Sequence, residues 1–153
     1  MKLLQKIFSL FIITLFWSAC GSNLNQSPKD IAESLDVIYI YGPDIKHGET
    51  LSLWVENDTE YCLDFSPNYN IIINVKIDKS WIIVSNSINF LNDKPDILMP
   101  VDDPASISFV DVLPDLSEYQ LTKPVEAYVV ISGHLCDDES FVIEKKIPFT
   151  ITP

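Results

Sequence analysis

Apolar and polar side chains alternate along much of this chain, and that alternation constrains the fold more than any other feature. Ile71, Ile73, Val75 and Ile77 are interleaved with Ile72, Asn74, Lys76 and Asp78. Val125, Ala127, Val129 and Ile131 are interleaved with Glu126, Tyr128, Val130 and Ser132. A period of two places successive side chains on opposite faces of a pleated strand. The same rhythm runs through Leu51, Leu53 and Val55, then Tyr61, Leu63 and Phe65, then Phe141 and Ile143, and finally Ile147, Phe149 and Ile151. Between Val37 and Tyr41 both parities are apolar, as in a strand covered on two faces. No stretch sustains the helical period of 3.6 over ten residues, and Ile31–Leu35 has room for one helical turn only.

Breaks fall where strands should end: Gly42–Gly48, Asn57-Asp58-Thr59, Ser66-Pro67-Asn68, Pro114–Pro124 and Gly133–Ser140. Residues 86–105 read as a polar, proline-bearing connection with a short apolar run at Ile97–Val101. Over Ser106–Val112 the apolar parity changes between Phe109 and Val110, which predicts a bulge. Pro148 suits an edge position, because it cannot donate to a central ladder. About eight strands result, so the expected class is all-β, an antiparallel two-sheet sandwich of 7–9 strands. A small closed barrel is the alternative. The order Cys62, Trp81, Cys136 resembles that of immunoglobulin-like domains. Trp81 opens its strand and is expected in the core. No Tyr stands two residues before Cys136. The likeness is therefore one of architecture, not of family.

The first 21 residues read differently. Lys2 and Lys6 precede a mostly apolar run, Ile7–Trp17, that is too short to span a bilayer. Ser18, Ala19, Cys20 and Gly21 follow. This segment resembles the lipobox signal peptide of bacterial lipoproteins, with Trp17 standing where that family usually has an aliphatic residue. The resemblance implies cleavage before Cys20, lipidation of its thiol, and export to a membrane surface. With Gly21 after the cysteine, that surface is the outer membrane of a diderm cell or the outer face of the plasma membrane of a monoderm one. The polar run Gly21–Lys29 would hold the body off the surface. The expected organisation is a signal peptide at 1–19, a lipid-anchored tether at 20–35 and the β domain at 36–153. With Cys20 acylated, Cys62 and Cys136 remain as an even pair, and in an exported chain such a pair predicts a disulfide.

Charge narrows the partners. The chain carries 22 acidic residues against 10 lysines and no arginine, a net charge of −12. Loss of Lys2 and Lys6 with the leader takes it to −14. Such a body is repelled by phosphate backbones, so nucleic acid is not an expected partner. The expected partners are the membrane, through the lipid, and an envelope protein or glycan. An acidic surface also suits an inhibitor or immunity lipoprotein that neutralises a cationic hydrolase or toxin.

Chemistry-bearing motifs are sparse. His47 and His134 lie in turns without a nucleophile signature nearby. The four glycines, at 21, 42, 48 and 133, form no phosphate-binding loop. Only His134 and Cys136 have ligand-like spacing, which falls short of a zinc set. Asp93, Asp96, Asp102 and Asp103 are spread over the proline-bearing connection, and Asp137, Asp138 and Glu139 sit in the last turn. Neither group has the spacing of a calcium loop. No catalytic residue, metal or cofactor is expected. Outward aromatics are the stronger lead, because rings on a sheet face are enriched at recognition surfaces. Trp54 opposes Leu53 and Val55, and Tyr128 shares a face with Glu126. The candidate binding surface is therefore Trp54, Tyr128, Asp137, Asp138 and Glu139.

Overall fold

The computed structural model describes residues 26–90 and 96–153. The leader, Cys20 and Asp93 lie outside the described residues. The described chain is mostly strand, arranged in two sheets. The first sheet contains β1 (Leu35–Tyr39), β3 (Leu51–Asn57), β9 (Ile107–Pro114) and β7 (Asn86–Phe90), in the order β1-β3-β9-β7 and antiparallel throughout. The second is built on β10 (Val125–Leu135), which pairs with β11 (Asp138–Thr152) along one side. Its other side holds β5 (Ile72–Ile77) and then β4 (Leu63–Asp64). β6 (Ser80–Val84) lies outside β5, β8 (Ile97–Leu98) outside β4, and β2 (Asp44–Lys46) outside the end of β11.

The inward parity of the strands forms the core. Leu51, Leu53, Val55, Val110 and Val112 from the first sheet meet Ile73, Val75, Val129, Ile131, Ile143 and Ile151 from the second, all essentially without solvent contact. Eight strands have five or more residues, and β2, β4 and β8 have two or three. Two of these short strands and β7 fall in stretches read from sequence as connections. β7 was hidden because its outward positions, Ser87 and Asn89, and Asn86 at its start are polar. Ile88 and Phe90 still pack on the core.

Four further local expectations are corrected. β2 runs parallel to β11, so the second sheet is not purely antiparallel. Gly42 and Gly48, at φ 109° and 85°, bracket this strand and mask it as one long turn. β9 carries no bulge. Ser108 occupies an inward position beside Val110 and Val112, and the ladder to β3 is continuous. Strand β10 runs through Gly133, paired with Ile143, and the position takes glycine because a Cβ there would lie 2.5 Å from Phe65 Cδ1 and 2.7 Å from the Asp64 carbonyl oxygen. The irregularity in this part of the molecule lies between His134 and Leu135.

The fourth concerns the tether. Residues 28–35 belong to the folded body. α1 (Pro28–Glu33) is opened by a capping box in which the Ser27 hydroxyl accepts from the Asp30 amide and Asp30 accepts from the Ser27 amide. Pro28 takes the first turn, where a missing N–H costs nothing. Ile31 and Leu35 are fully buried. Lys145 Nζ donates to the carbonyl oxygens of Ala32 at 3.0 Å and Glu33 at 3.4 Å, completing the helix end with a cation.

Cys62 and Cys136 form a disulfide with Cα atoms 5.4 Å apart, tying the entry to β4 to the β10–β11 turn. A second fastening is Asn57, which is fully buried. Its side-chain amide donates to the carbonyls of Tyr61, Leu98 and Met99, while its oxygen accepts from the Thr59 amide and hydroxyl. Pro148 does sit at an open edge, where only the Tyr39 hydroxyl reaches its carbonyl.

Candidate functional site

The outer face of the second sheet carries the most concentrated group of exposed rings and cations. β5 and β6 are joined by the two-residue turn Asp78-Lys79, with φ 47° and 73°. Positive φ at both central residues marks a type I′ hairpin, whose twist matches that of its strands. This fixes the register of β6 on β5, and the ladders to β10 and β11 carry the rows on. One row reads Trp81, Lys76, Glu126, Thr150, and the next reads Ile83, Asn74, Tyr128, Pro148. All of these side chains point away from the core.

Trp81 and Tyr128 meet with ring centres 4.8 Å apart and planes inclined at 60°. Lys146 Nζ stands 3.4 Å from the Tyr128 ring centre and 6.0 Å from that of Trp81. Lys76 Nζ lies 5.7 Å from the Trp81 ring and 2.8 Å from Glu126 Oε2. The rings thus form two walls of a shallow depression, continued by Tyr39, Pro43 and Pro148. Trp81 keeps 45% of its surface exposed and Ile83 keeps 71%. This overturns the placement of Trp81 in the core. It faces the same way as Lys76, and the two-residue turn dictates that pairing. Reading Asp78-Lys79 as a tight hairpin was the signal available in the sequence.

The five residues singled out from the sequence do not form one surface. Trp54 lies on the outer face of the other sheet, between Ile38 and Phe109, with its ring 5.2 Å from that of Phe109. Its indole N–H is closed off from solvent. Tyr128 and the β10–β11 turn are separated along β10 by seven residues, or ~23 Å at a strand's rise. At that turn Cys136 and Asp137 make the bend, and Asp138 already opens β11. Asp138 Oδ1 accepts from Ser140 Oγ at 2.5 Å and from the Ser140 amide at 3.0 Å. The Ser140 hydroxyl, followed by its amide, holds the Asp138 carboxyl below its ordinary pKa. That carboxylate organises its own turn.

The histidines also serve local structure. His47 Nε2 is 3.3 Å from the Leu116 carbonyl oxygen, and His134 Nδ1 is 2.9 Å from that of Leu135. Among the described residues no three His, Cys, Asp or Glu side chains are placed to share a metal ion. Tyr69 is buried, stacked 4.8 Å from Phe65, with its hydroxyl beside Ser108. Burial pushes its phenol well above the ordinary value, so it stays neutral at any physiological pH.

No protein-family model and no curated protein matches the sequence.

Proposed function

We propose that this protein is a non-catalytic binding module of the cell envelope. In this reading it is exported, lipidated at Cys20, and displayed on an immunoglobulin-like sandwich that engages glycan through the outer face of its larger sheet. One observation carries the reading: the Trp81–Tyr128 pair, with Trp81 45% exposed, Tyr128 partly so, and Lys146 over the Tyr128 ring. Sugar rings present flat C–H faces that pack on aromatic faces, and their hydroxyls take hydrogen bonds from a lysine and give them to a carboxylate such as Glu126. The shallowness of the depression fits a chain of sugars better than a small molecule, which needs enclosure.

The test is binding of the purified protein to insoluble and soluble cell-wall polysaccharides. The double variant Trp81→Ala, Tyr128→Ala loses retention while Trp54→Ala keeps it. Equal retention by both variants refutes this face as the site.

A second reading is favoured by the charge. Lys29–Glu33 and Lys76–Glu126 are ion pairs, while Asp36, Glu49, Asp58, Glu60, Glu118 and Glu144 are exposed to water. A cationic hydrolase or toxin would then be the partner, and its binding would weaken steeply with salt. Binding unchanged between low and high salt refutes that alternative.

A further inference from the structure

The depression beside Trp81 and Tyr128 differs in charge from the molecule around it. The chain as a whole carries 22 acids against 10 lysines. Within the depression the charged lining residues are Glu126 and Lys146. Glu126 is already engaged, with Oε2 2.8 Å from Lys76 Nζ on the adjacent strand. Lys146 is engaged by rings instead, 3.4 Å from the Tyr128 ring centre and 6.0 Å from that of Trp81. Its cross-strand neighbours Val130 and Ile72 are uncharged. Glu144, two residues away on the same face of β11, makes no ion pair with it and lines the separate cleft beside α1. A ring face attracts a cation through its quadrupole and leaves the charge uncancelled. Glu126 and Lys76 offset each other, so Lys146 leaves the depression with one unit of positive charge in a strongly acidic molecule.

We infer that the glycan held here is an acidic one, a polymer of sugars that carry a carboxylate on the ring. The inference rests on the glycan reading of this face and narrows it. Lys146 occupies a face of Tyr128, so the exposed indole of Trp81 is the surface left for a sugar ring. The 6.0 Å from the Trp81 ring centre to Lys146 Nζ spans half a sugar ring and a hydrogen bond to its carboxylate. The sugar's C–H face packs on Trp81, the carboxylate accepts from Lys146, and hydroxyls donate to Glu126. A phosphodiester polymer carries its charge between residues rather than on a ring, so ring and charge do not arrive together. Carboxylates elsewhere on the surface repel a polyanion, which confines its attachment to this depression. A cationic protein would meet Lys146 here as a like charge, so this face does not suit that partner.

Isothermal titration calorimetry on the full-length chain in mild detergent tests the inference, with soluble polygalacturonate and polyglucuronate and the methyl ester of each. Esterification keeps the sugar ring and erases its charge. The parent binds at least one acid polymer about tenfold more tightly than its ester, the scale of one charge-assisted hydrogen bond. Lys146→Met keeps the aliphatic stem and an unchanged circular dichroism spectrum, and binds acid and ester alike. Lys29→Met, which removes a charge on α1, keeps the preference. Glu126→Gln keeps an acceptor for the hydroxyls, withdraws the acid from the depression, and tightens binding of the acid polymer about threefold, the scale of an exposed charge pair. A gain of this kind does not come from misfolding. Four results overturn the inference: an ester bound as tightly as its acid, a preference that survives Lys146→Met, no gain in Glu126→Gln, or poly(glycerol phosphate) bound as tightly as the acid polymers. Retention of neutral cell-wall polysaccharide with no preference for acid removes the inference and leaves the glycan reading standing. Failure of every polymer removes both.

Discussion

Gly133 and Asn57 show how single residues set the geometry of this molecule. The Gly133 Cα passes so close to Phe65 and the Asp64 carbonyl that no methyl group fits. Gly133→Ala must shift a backbone oxygen as well as a ring, and is expected to cost about 1–3 kcal/mol, as overpacking does. Thermal unfolding of the variant against the parent measures it. Asn57 binds three carbonyls and two donors from a fully buried position. Asn57→Ala leaves those groups dry and unpaired, for a loss of about 3 kcal/mol. Asn57→Asp is expected to be no better, since a carboxylate would face the Tyr61, Leu98 and Met99 carbonyls. Denaturant midpoints for the two variants check both statements. Neither role was legible from the sequence. Asn57 read as part of a turn signal, and Gly133 as the start of a loop, because each one's constraint comes from a segment distant in the chain.

At the scale of elements, helix α1 shows how a single turn and a half is fastened to the sandwich. It buries Ile31 and Ala32, and Lys145 fastens its last turn. Lys145→Met keeps the aliphatic length and removes the donor. Amide exchange in residues 28–34 should speed up by about tenfold while β10 and β11 keep their protection. The turns and caps respond to acid. Hydrogen bonds from Ser27 hold Asp30 below the usual carboxylate pKa, as those from Ser117 hold Asp115 and those from Ser140 hold Asp138. A carboxyl depressed in the folded state contributes its stability above the unfolded pKa near 3.8 and loses it as pH falls through the lower folded value. Melting temperature should therefore fall below about pH 4, and the Asp138→Asn variant should fall less. The strands with clean alternation, β3, β5, β10 and β11, were readable in advance. β2, β7 and β8 were not, because they are short or polar and exist through pairing rather than propensity. Tyr128 was correctly turned outward. Trp81 was missed because the parity of β6 is set by a turn whose residues, Asp and Lys, are unusual for its type.

For the molecule as a whole, the disulfide matters more than any one strand. It spans 74 residues and joins segments that meet only in the folded state. The chain-entropy account gives about 4 kcal/mol for such a loop. The double variant Cys62→Ala, Cys136→Ala should unfold at a correspondingly lower denaturant concentration, and reductant should affect the parent but not the variant. The two sheets are also joined at close range. Ser85 alone links β6 in one sheet to β7 in the other, so the layers have little freedom to slide.

The closed ring of chain from Cys62 to Cys136 has a consequence for how the protein withstands a protease. Loop 115–124 lies within that ring and carries the exposed Glu118. A protease that cuts there opens one link and liberates nothing, because both halves stay bolted together through sulfur. Such a protein would tolerate being clipped and fall into pieces only after reduction.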